Sequence, residues 1–257
     1  MYFDVGNADC ILIKDDKDII LIDSGNDEDG KYIVEYLKEL GISKINYLVG
    51  THEHEDHIGG MNYIVDNFDI QDIYLTRTDS SKENVEYNEL LQTIANKNCT
   101  YEEPNTNTKF ILGDSTFIIR YVSNIESNPN NDSIVIELEN ENLKYLFTGD
   151  IEQKIEKTVA WDSIDVLKVA HHGSDTSTSQ DFLNVIFSEK NKLREKITVI
   201  STGNRENLLD DIVLQRLHAI PNNKIYITRN DGSIYITNID GKNSVKTLRT
   251  KVDSTQH

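Results

Sequence analysis

Cysteine, proline and positive charge are all scarce in this chain, and each shortage excludes something. Two cysteines in 257 residues, Cys10 and Cys99, cannot build a disulfide framework. Neither has a cysteine or histidine at ligand spacing, so no thiolate metal site is expected and both should be reduced and structural. Three prolines and 37 % hydrophobic residues describe a packed protein rather than a disordered one. No window approaches about 20 uninterrupted apolar residues, so no membrane span is expected. The opening, MYFDVGNADCILIKDD, has neither a basic stretch nor a long apolar core before a cleavage site. The expectation is a non-exported, cytoplasmic protein that works away from membranes. Lys and Arg number 26 against 44 Asp and Glu, a net charge of −18. Such a chain repels polyanions at long range, and nonspecific affinity for duplex DNA depends on Lys and Arg releasing counterions. Any nucleic-acid contact is therefore expected to be local or assisted by metal, and a DNA-packaging role is disfavoured.

Two apolar runs come first, CILIK (10–14) and DIILIDSG (18–25), and predict a hairpin whose second strand ends at Asp23-Ser24-Gly25. Residues 30–41 place Ile33, Tyr36, Leu37 and Leu40 on one face with Gly41 as a stop, an amphipathic helix. INYLVGTH (45–52) reads as a strand buried on both faces. A helix is expected near 58–67, a strand at 72–76 and a polar helix at about 81–97. Residues 108–150 are mostly strand, DVLKVAHHGS (165–174) is a further buried strand, and 179–196 reads as helical. KITVIST is a strand and LDDIVLQRLHAI a helix ended by Pro221. KIYITRNDGSIYITN (224–238) is expected to be two alternating strands folded back around Asn230-Asp231-Gly232. The β-α-β order suggests layered α/β architecture, two stacked sheets with helices outside. Nothing resembles a linker, so one domain is expected over 1–247, with a polar tail at 248–257.

Histidine is distributed unevenly. LVGTHEHEDHIGG (48–60) holds three of the seven imidazoles within six positions, directly after an apolar run. His52 and His54 are two apart, so in an extended loop their rings project to the same side. Asp56 and His57 follow in the turn that opens the next helix, and Gly59-Gly60 lets that helix pack closely. Zinc, manganese and iron all accept such imidazole and carboxylate ligands. Four ligands leave two metals under-coordinated, and other strand ends offer more: Asp150 closes YLFTGD, His171 and His172 close VLKVAHHGS, and Asn130 and Asp132 precede SIVIEL. Asp150 stands where a carboxylate could bridge two cations. Two metals about 3.5–4 Å apart, sharing a carboxylate and a hydroxide, hydrolyse phosphate esters and amides.

HEHEDH matches the HxHxDH signature of the metallo-β-lactamase superfamily, and LIDSG resembles that superfamily's first motif. The ordered set FDVGNADCILI, NNDSIVI, LFTGD, LKVAHHGSDTSTS and YITRNDGSI is similar, more narrowly, to the hydrolase domain of ComEC-type competence (DNA-uptake) proteins. The resemblance covers about residues 2–240. It implies an α/β, four-layer αββα sandwich of two mixed sheets, with the metals at one edge. It also implies two divalent ions, zinc or manganese. His52 and His54 would hold the first, Asp56, His57 and one of His171 or His172 the second, with Asp150 bridging. Asp23 would orient the histidine loop, Asp56 would orient a metal-bridging hydroxide as the catalytic carboxylate, and Asn7 and Asp9 would border the metals.

The chain departs from the resemblance twice. Where the superfamily often has a histidine at its third motif, NPNNDS stands instead, so Asn130 or Asp132 would be a weak ligand or none. Where competence-type domains commonly carry His-Pro-His after a GN element, Leu208, Leu209 and Asp210 align. Ser174 and Thr176 could hydrogen-bond a phosphate, and Lys168 either faces the same cleft or points outward into solvent. The expected function is a dinuclear metal-dependent hydrolase, phosphodiesterase- or nuclease-like, acting on a nucleotide or short single-stranded nucleic acid. The alternatives are an ester, thioester or amide hydrolase on the same centre, or a catalytically silent metal-binding regulator. A protein partner within a larger system would fit either.

Overall fold

A computed structural model describes residues 1–76, 84–123, 126–188, 194–204 and 208–249. The first half runs β1 (Ile11–Asp15), β2 (Asp18–Ile22), α1 (Gly30–Glu39), β3 (Lys44–Gly50), α2 (Glu55–Ile58), α3 (Met61–Asn67), β4 (Asp69–Leu75) and α4 (Val85–Asn96). A meander follows: β5 (Lys109–Leu112), β6 (Ser115–Tyr121), β7 (Val135–Asn140) and β8 (Leu143–Phe147). The remainder is α5 (Gln153–Glu156), β9 (Val166–Lys168), α6 (Gln180–Ile186), β10 (Lys196–Ile200), α7 (Asp211–His218), β11 (Asn223–Ile227), α8 (Thr228–Asp231), β12 (Ser233–Ile239) and β13 (Lys242–Leu248). Parts of two expected helices, 81–83 and 189–193, lie outside the described residues.

The strands form a four-stranded sheet, β1-β2-β3-β4, and a seven-stranded sheet, β11-β10-β9-β8-β7-β6-β5. Both are mixed. In the first, β1 and β2 are antiparallel while β2, β3 and β4 run parallel. In the second, β5 to β8 are antiparallel and β8 to β11 parallel.

Three apolar clusters fix the layering. One face of the first sheet (Leu21, Leu48, Ile73) packs on α1, α3 and α4 through Ile33, Leu37, Ile64 and Leu90. Its other face (Ile20, Ile22, Val49) meets the second sheet through Phe117, Ile136, Phe147 and Val199. The far face of that second sheet (Leu146, Leu167, Ile200) is covered by Ile155, Phe182, Leu183, Val213 and Leu217 of α5, α6 and α7. Strands buried on both faces have no polar side to show, which is why KINYLVG and DVLKVA read as continuous apolar runs. The order of layers is α, β, β, α, as the resemblance implied.

The expected hairpin at 224–238 does not form. β11 joins the edge of the second sheet, parallel to β10, and α8 occupies Thr228–Asp231. β12 pairs instead with β13, Ile239 opposite Lys242, across Asp240 and Gly241 at φ 52° and 68°. Both turn residues sit in the left-handed region that an Asp-Gly hairpin needs. Tyr2 bridges Ile11 and Ile234, so this β12–β13 ribbon extends the first sheet beyond β1. Asn230-Asp231-Gly232 marks a turn between sheets, because Asp231 Oδ2 accepts the Ile227 N–H and closes a helical turn. β13 ends at Leu248, the first residue of the expected tail, and 250–257 lie outside the described residues. No described helix is long and apolar enough to cross a membrane.

Candidate metal centre

The carboxyl ends of β2, β3, β8, β9 and β10 deliver Asp23, the His52–His57 loop, Asp150, His172 and Ser201 to one edge of the sandwich. Ligand sites of α/β sheets usually lie outside such strand ends. Two glycines permit the close approach. A Cβ on Gly60 would fall 2.9 Å from the Gly30 Cα and onto the Ser24 carbonyl, so the histidine loop seats only with glycine there. Gly149 has φ 51°, and a Cβ would meet Ser133 Oγ at 2.7 Å, so the turn presenting Asp150 also depends on glycine.

Asp23, held at φ 58°, anchors the loop from behind. Its Oδ1 accepts the Thr51 N–H at 2.8 Å, and its Oδ2 accepts Thr51 Oγ1 at 2.9 Å and His57 Nδ1 at 2.8 Å. With Nδ1 donating, His57 Nε2 is turned inward, 3.3 Å from Asp150 Oδ2 and 4.0 Å from Asp56 Oδ1. His172 is built the same way. Its Nδ1 donates to the Ser201 carbonyl at 3.0 Å, leaving Nε2 3.3 Å from Asp56 Oδ2 and 3.6 Å from Asp150 Oδ2. His52 Nε2 faces His54 Nδ1 at 3.0 Å.

Among the described residues, His52, His57 and Asp150 could hold one cation, and Asp56, His57 and His172 another. A third group, Asp9, Asp23 and His57, lies behind them. The donor set fits a metal on its own terms. His57 Nε2, His172 Nε2 and Asp150 Oδ1 are buried without a hydrogen-bond partner, a costly arrangement unless something else satisfies them. Each inward nitrogen also has its outer nitrogen tied, the arrangement that fixes tautomer and ring orientation at metal sites.

The carboxylates set the charge state of the cluster. Burial, and then the neighbouring His57 ring, push the His52 imidazole well below its ordinary value, so it is neutral and offers a lone pair. Burial alone would also lower His57, but Asp150 and Asp23 outweigh it and hold that ring well above the usual range, so without a metal it carries a proton that a bound cation would have to displace. Burial opposes ionisation of Asp56, yet the adjacent His172 ring, 3.3 Å away, and the charge of His57 keep its carboxyl below the usual carboxylate range.

Several sequence candidates stand apart from this convergence. His171, although adjacent to His172, turns its ring away: Nδ1 pairs with Thr176 Oγ1 at 3.1 Å and Nε2 lies 3.4 Å from the Asn130 amide. Both histidines have left-handed backbone, φ 50° and 51°, and that twist sends successive side chains in different directions. Asp132 accepts the Glu126 N–H through Oδ1 at 2.7 Å, and its side chain joins none of the three groups. Asn7 Oδ1 accepts from Thr202 Oγ1 and the Gly203 N–H, tying the first loop to the end of β10. Ser174 Oγ is engaged with Thr176 in the turn that follows Gly173. Lys168 is not solvated: it is 1 % exposed and paired with Asp9. A lysine alone inside the apolar run VLKVA was the available signal. The Ser201 carbonyl is a backbone group, and no side-chain pattern could have pointed to it.

Asp23→Asn tests this support. Asn tolerates the left-handed backbone, so the fold is expected to survive, while metal affinity falls about 10–100-fold in a chelator-competition titration.

Buried histidines at strand ends, carboxylates between them and an αββα sandwich define a class. The chain belongs to the metallo-beta-lactamase superfamily, whose family model matches residues 3–192. Within it, the chain is 28 % identical over 213 residues to ComE operon protein 3 of Bacillus subtilis (strain 168), an alignment covering 79 % of this chain and 26 % of that protein. It is also 28 % identical over 257 residues to Recombination protein 2 of Haemophilus influenzae (strain ATCC 51907 / DSM 11121 / KW20 / Rd), covering 96 % of this chain and 30 % of that one. The chain thus spans less than a third of the length of these curated relatives. Among solved structures, the metallo-beta-lactamase fold protein YhfI from Bacillus subtilis superposes with a TM-score of 0.56 at 10 % identity, covering 89 % of this chain and 95 % of that one. That is a likeness of fold.

Proposed function

We propose that this protein is a hydrolase that holds two divalent ions and cleaves a phosphodiester in a nucleotide or a short single-stranded nucleic acid. The observation that carries the reading is the buried Asp150 carboxylate, set between two imidazoles whose inward nitrogens have no partner. His52, His54, His57 and His172 would bind, Asp56 would complete the second group, and Asp150 would belong to both. Bound there, the ions supply Lewis acidity and a water acidic enough to attack at neutral pH. The chain's own contribution is orientation. Asp23 and the Ser201 carbonyl fix two rings, the apolar sheet interface backs the site, and the ionised Asp56 would aim the attacking water.

The phosphodiester is favoured by similarity to relatives named for the ComE operon and for recombination. A small substrate suits a chain of charge −18 better than long duplex DNA. One feature favours a second reading, an uncharged ester or amide. Asp210 Oδ2 accepts the Asp175 N–H at 2.8 Å, so two carboxylates flank the turn following His172.

Purified protein with manganese or zinc should turn over at least one of single-stranded DNA, a cyclic dinucleotide or a chromogenic phosphodiester. Turnover of an ester or lactam alone would shift the assignment to the second reading. Absence of bound transition metal and of all turnover would make the chain a silent member of its family.

A further inference from the structure

The residue that the metal reading leaves unexplained is Lys168. An ammonium is among the costliest groups to bury, and a lone one is tolerated only when paired. Lys168 and Asp9 are each 1 % exposed and form a direct ion pair. The same ammonium donates to the Gly149 carbonyl at 3.2 Å and lies 3.7 Å from Asp150 Oδ1. It therefore holds the turn that presents Asp150 by a backbone hydrogen bond and sets its charge beside the Asp150 carboxylate. Asp9 is itself held: its N–H donates to the Asp56 carbonyl at 3.0 Å, and its carbonyl accepts the Gly25 N–H at 2.8 Å. Asp9, Lys168 and Asp150 thus form a line from the first loop, through the end of β9, to the end of β8.

We propose that Lys168 is a positioning residue of the centre: anchored on Asp9 and the Gly149 carbonyl, it holds the rear oxygen of Asp150 so that the front oxygen stays between His57 and His172. The inference rests on the dinuclear reading above. It also accounts for the third acidic group, Asp9, Asp23 and His57. That group already has an organic cation beside it, so it serves as a rear support and takes no metal.

The sign of the effect separates positioning from simple charge. An ammonium repels a nearby dication, and Lys168→Met also leaves Asp9 negative, so charge alone predicts tighter metal binding in that variant. Positioning predicts weaker binding, by about 10–100-fold, as for other outer groups that orient ligands. The experiment is a calorimetric titration of metal-free protein with manganese, with electron paramagnetic resonance of the loaded form. Wild type should bind two ions and give the signal of a coupled manganese pair. Lys168→Met should keep one ion, bind the second more weakly and show uncoupled manganese. Because an unpaired Asp9 could unfold that variant, Asp9→Asn/Lys168→Met removes both charges, and it should fold while still losing the coupled signal. Two ions, a coupled signal and undiminished affinity in either folded variant would overturn the role assigned to Lys168. A wild-type protein that binds no manganese or zinc would instead overturn the dinuclear reading itself.

Discussion

Asp150→Ala is expected to lower turnover at least about a thousand-fold, a loss near 4 kcal/mol of transition-state stabilisation. It is also expected to abolish tight metal binding altogether. The size follows from where the carboxylate stands. Asp150 Oδ2 is 3.3 Å from His57 Nε2 and 3.6 Å from His172 Nε2, so one oxygen faces an imidazole of each group that could hold a metal. Removing it separates them. The metal-free fold should persist, because Lys168 keeps Asp9 as its partner and the Ser133 hydroxyl still accepts the backbone N–H of residue 150. The measurement is thermal unfolding with and without manganese. A ligand that binds only the folded state at about a hundred times its Kd stabilises by about 2.7 kcal/mol. Wild type should show a metal-dependent rise in Tm, and Asp150→Ala should show none. An unchanged rise in the variant would remove Asp150 from the centre.

How much of this could be read from residues alone depends on what carried the information. HEHEDH, YLFTGD and VLKVAHHGS each end an apolar run, and hydrophobic continuity followed by histidine or acid is a one-dimensional signal. The structure brings those ends together because β2 and β3 are parallel in one sheet, β8 to β10 are parallel in the other, and the sheets stack. The choice between His171 and His172 was not legible. It is made by left-handed backbone at both residues and by a hydrogen bond to the carbonyl of Ser201, 29 residues away. Asp132 was indistinguishable from Asn130 in NPNNDS, and only the fold shows its carboxylate capping the Glu126 N–H. The Asn230-Asp231-Gly232 turn was visible, but its partner strands were not. A local turn signal says that the chain reverses, whereas strand pairing is decided by which edge is vacant. Here β10 and β13 offered the edges.

Asp56→Ala is the counterpart of Asp150→Ala, and the two differ in what they leave behind. Asp56 belongs to the group with His57 and His172 and is absent from the group with His52, His57 and Asp150. Its loss is therefore expected to empty one position and spare the other, so that the variant holds one ion where Asp150→Ala holds none. Turnover should still collapse, by about a hundred-fold or more, the cost of losing a group that aims the attacking water. Exposure explains why this carboxylate is assigned that part. Asp150 and Asp23 are at most 2 % exposed, while Asp56 is 27 % exposed and so is the one of the three that bulk water and a substrate can reach. Its backbone is held independently of the side chain, since the Asp56 carbonyl accepts the Asp9 N–H at 3.0 Å, and the loop should keep its path when the carboxylate is removed. Elemental analysis and a phosphodiester assay on the same preparation check both halves. One ion with turnover near wild type would leave Asp56 a ligand but end its catalytic role. Two ions with turnover lost would make it a catalytic group that binds no metal.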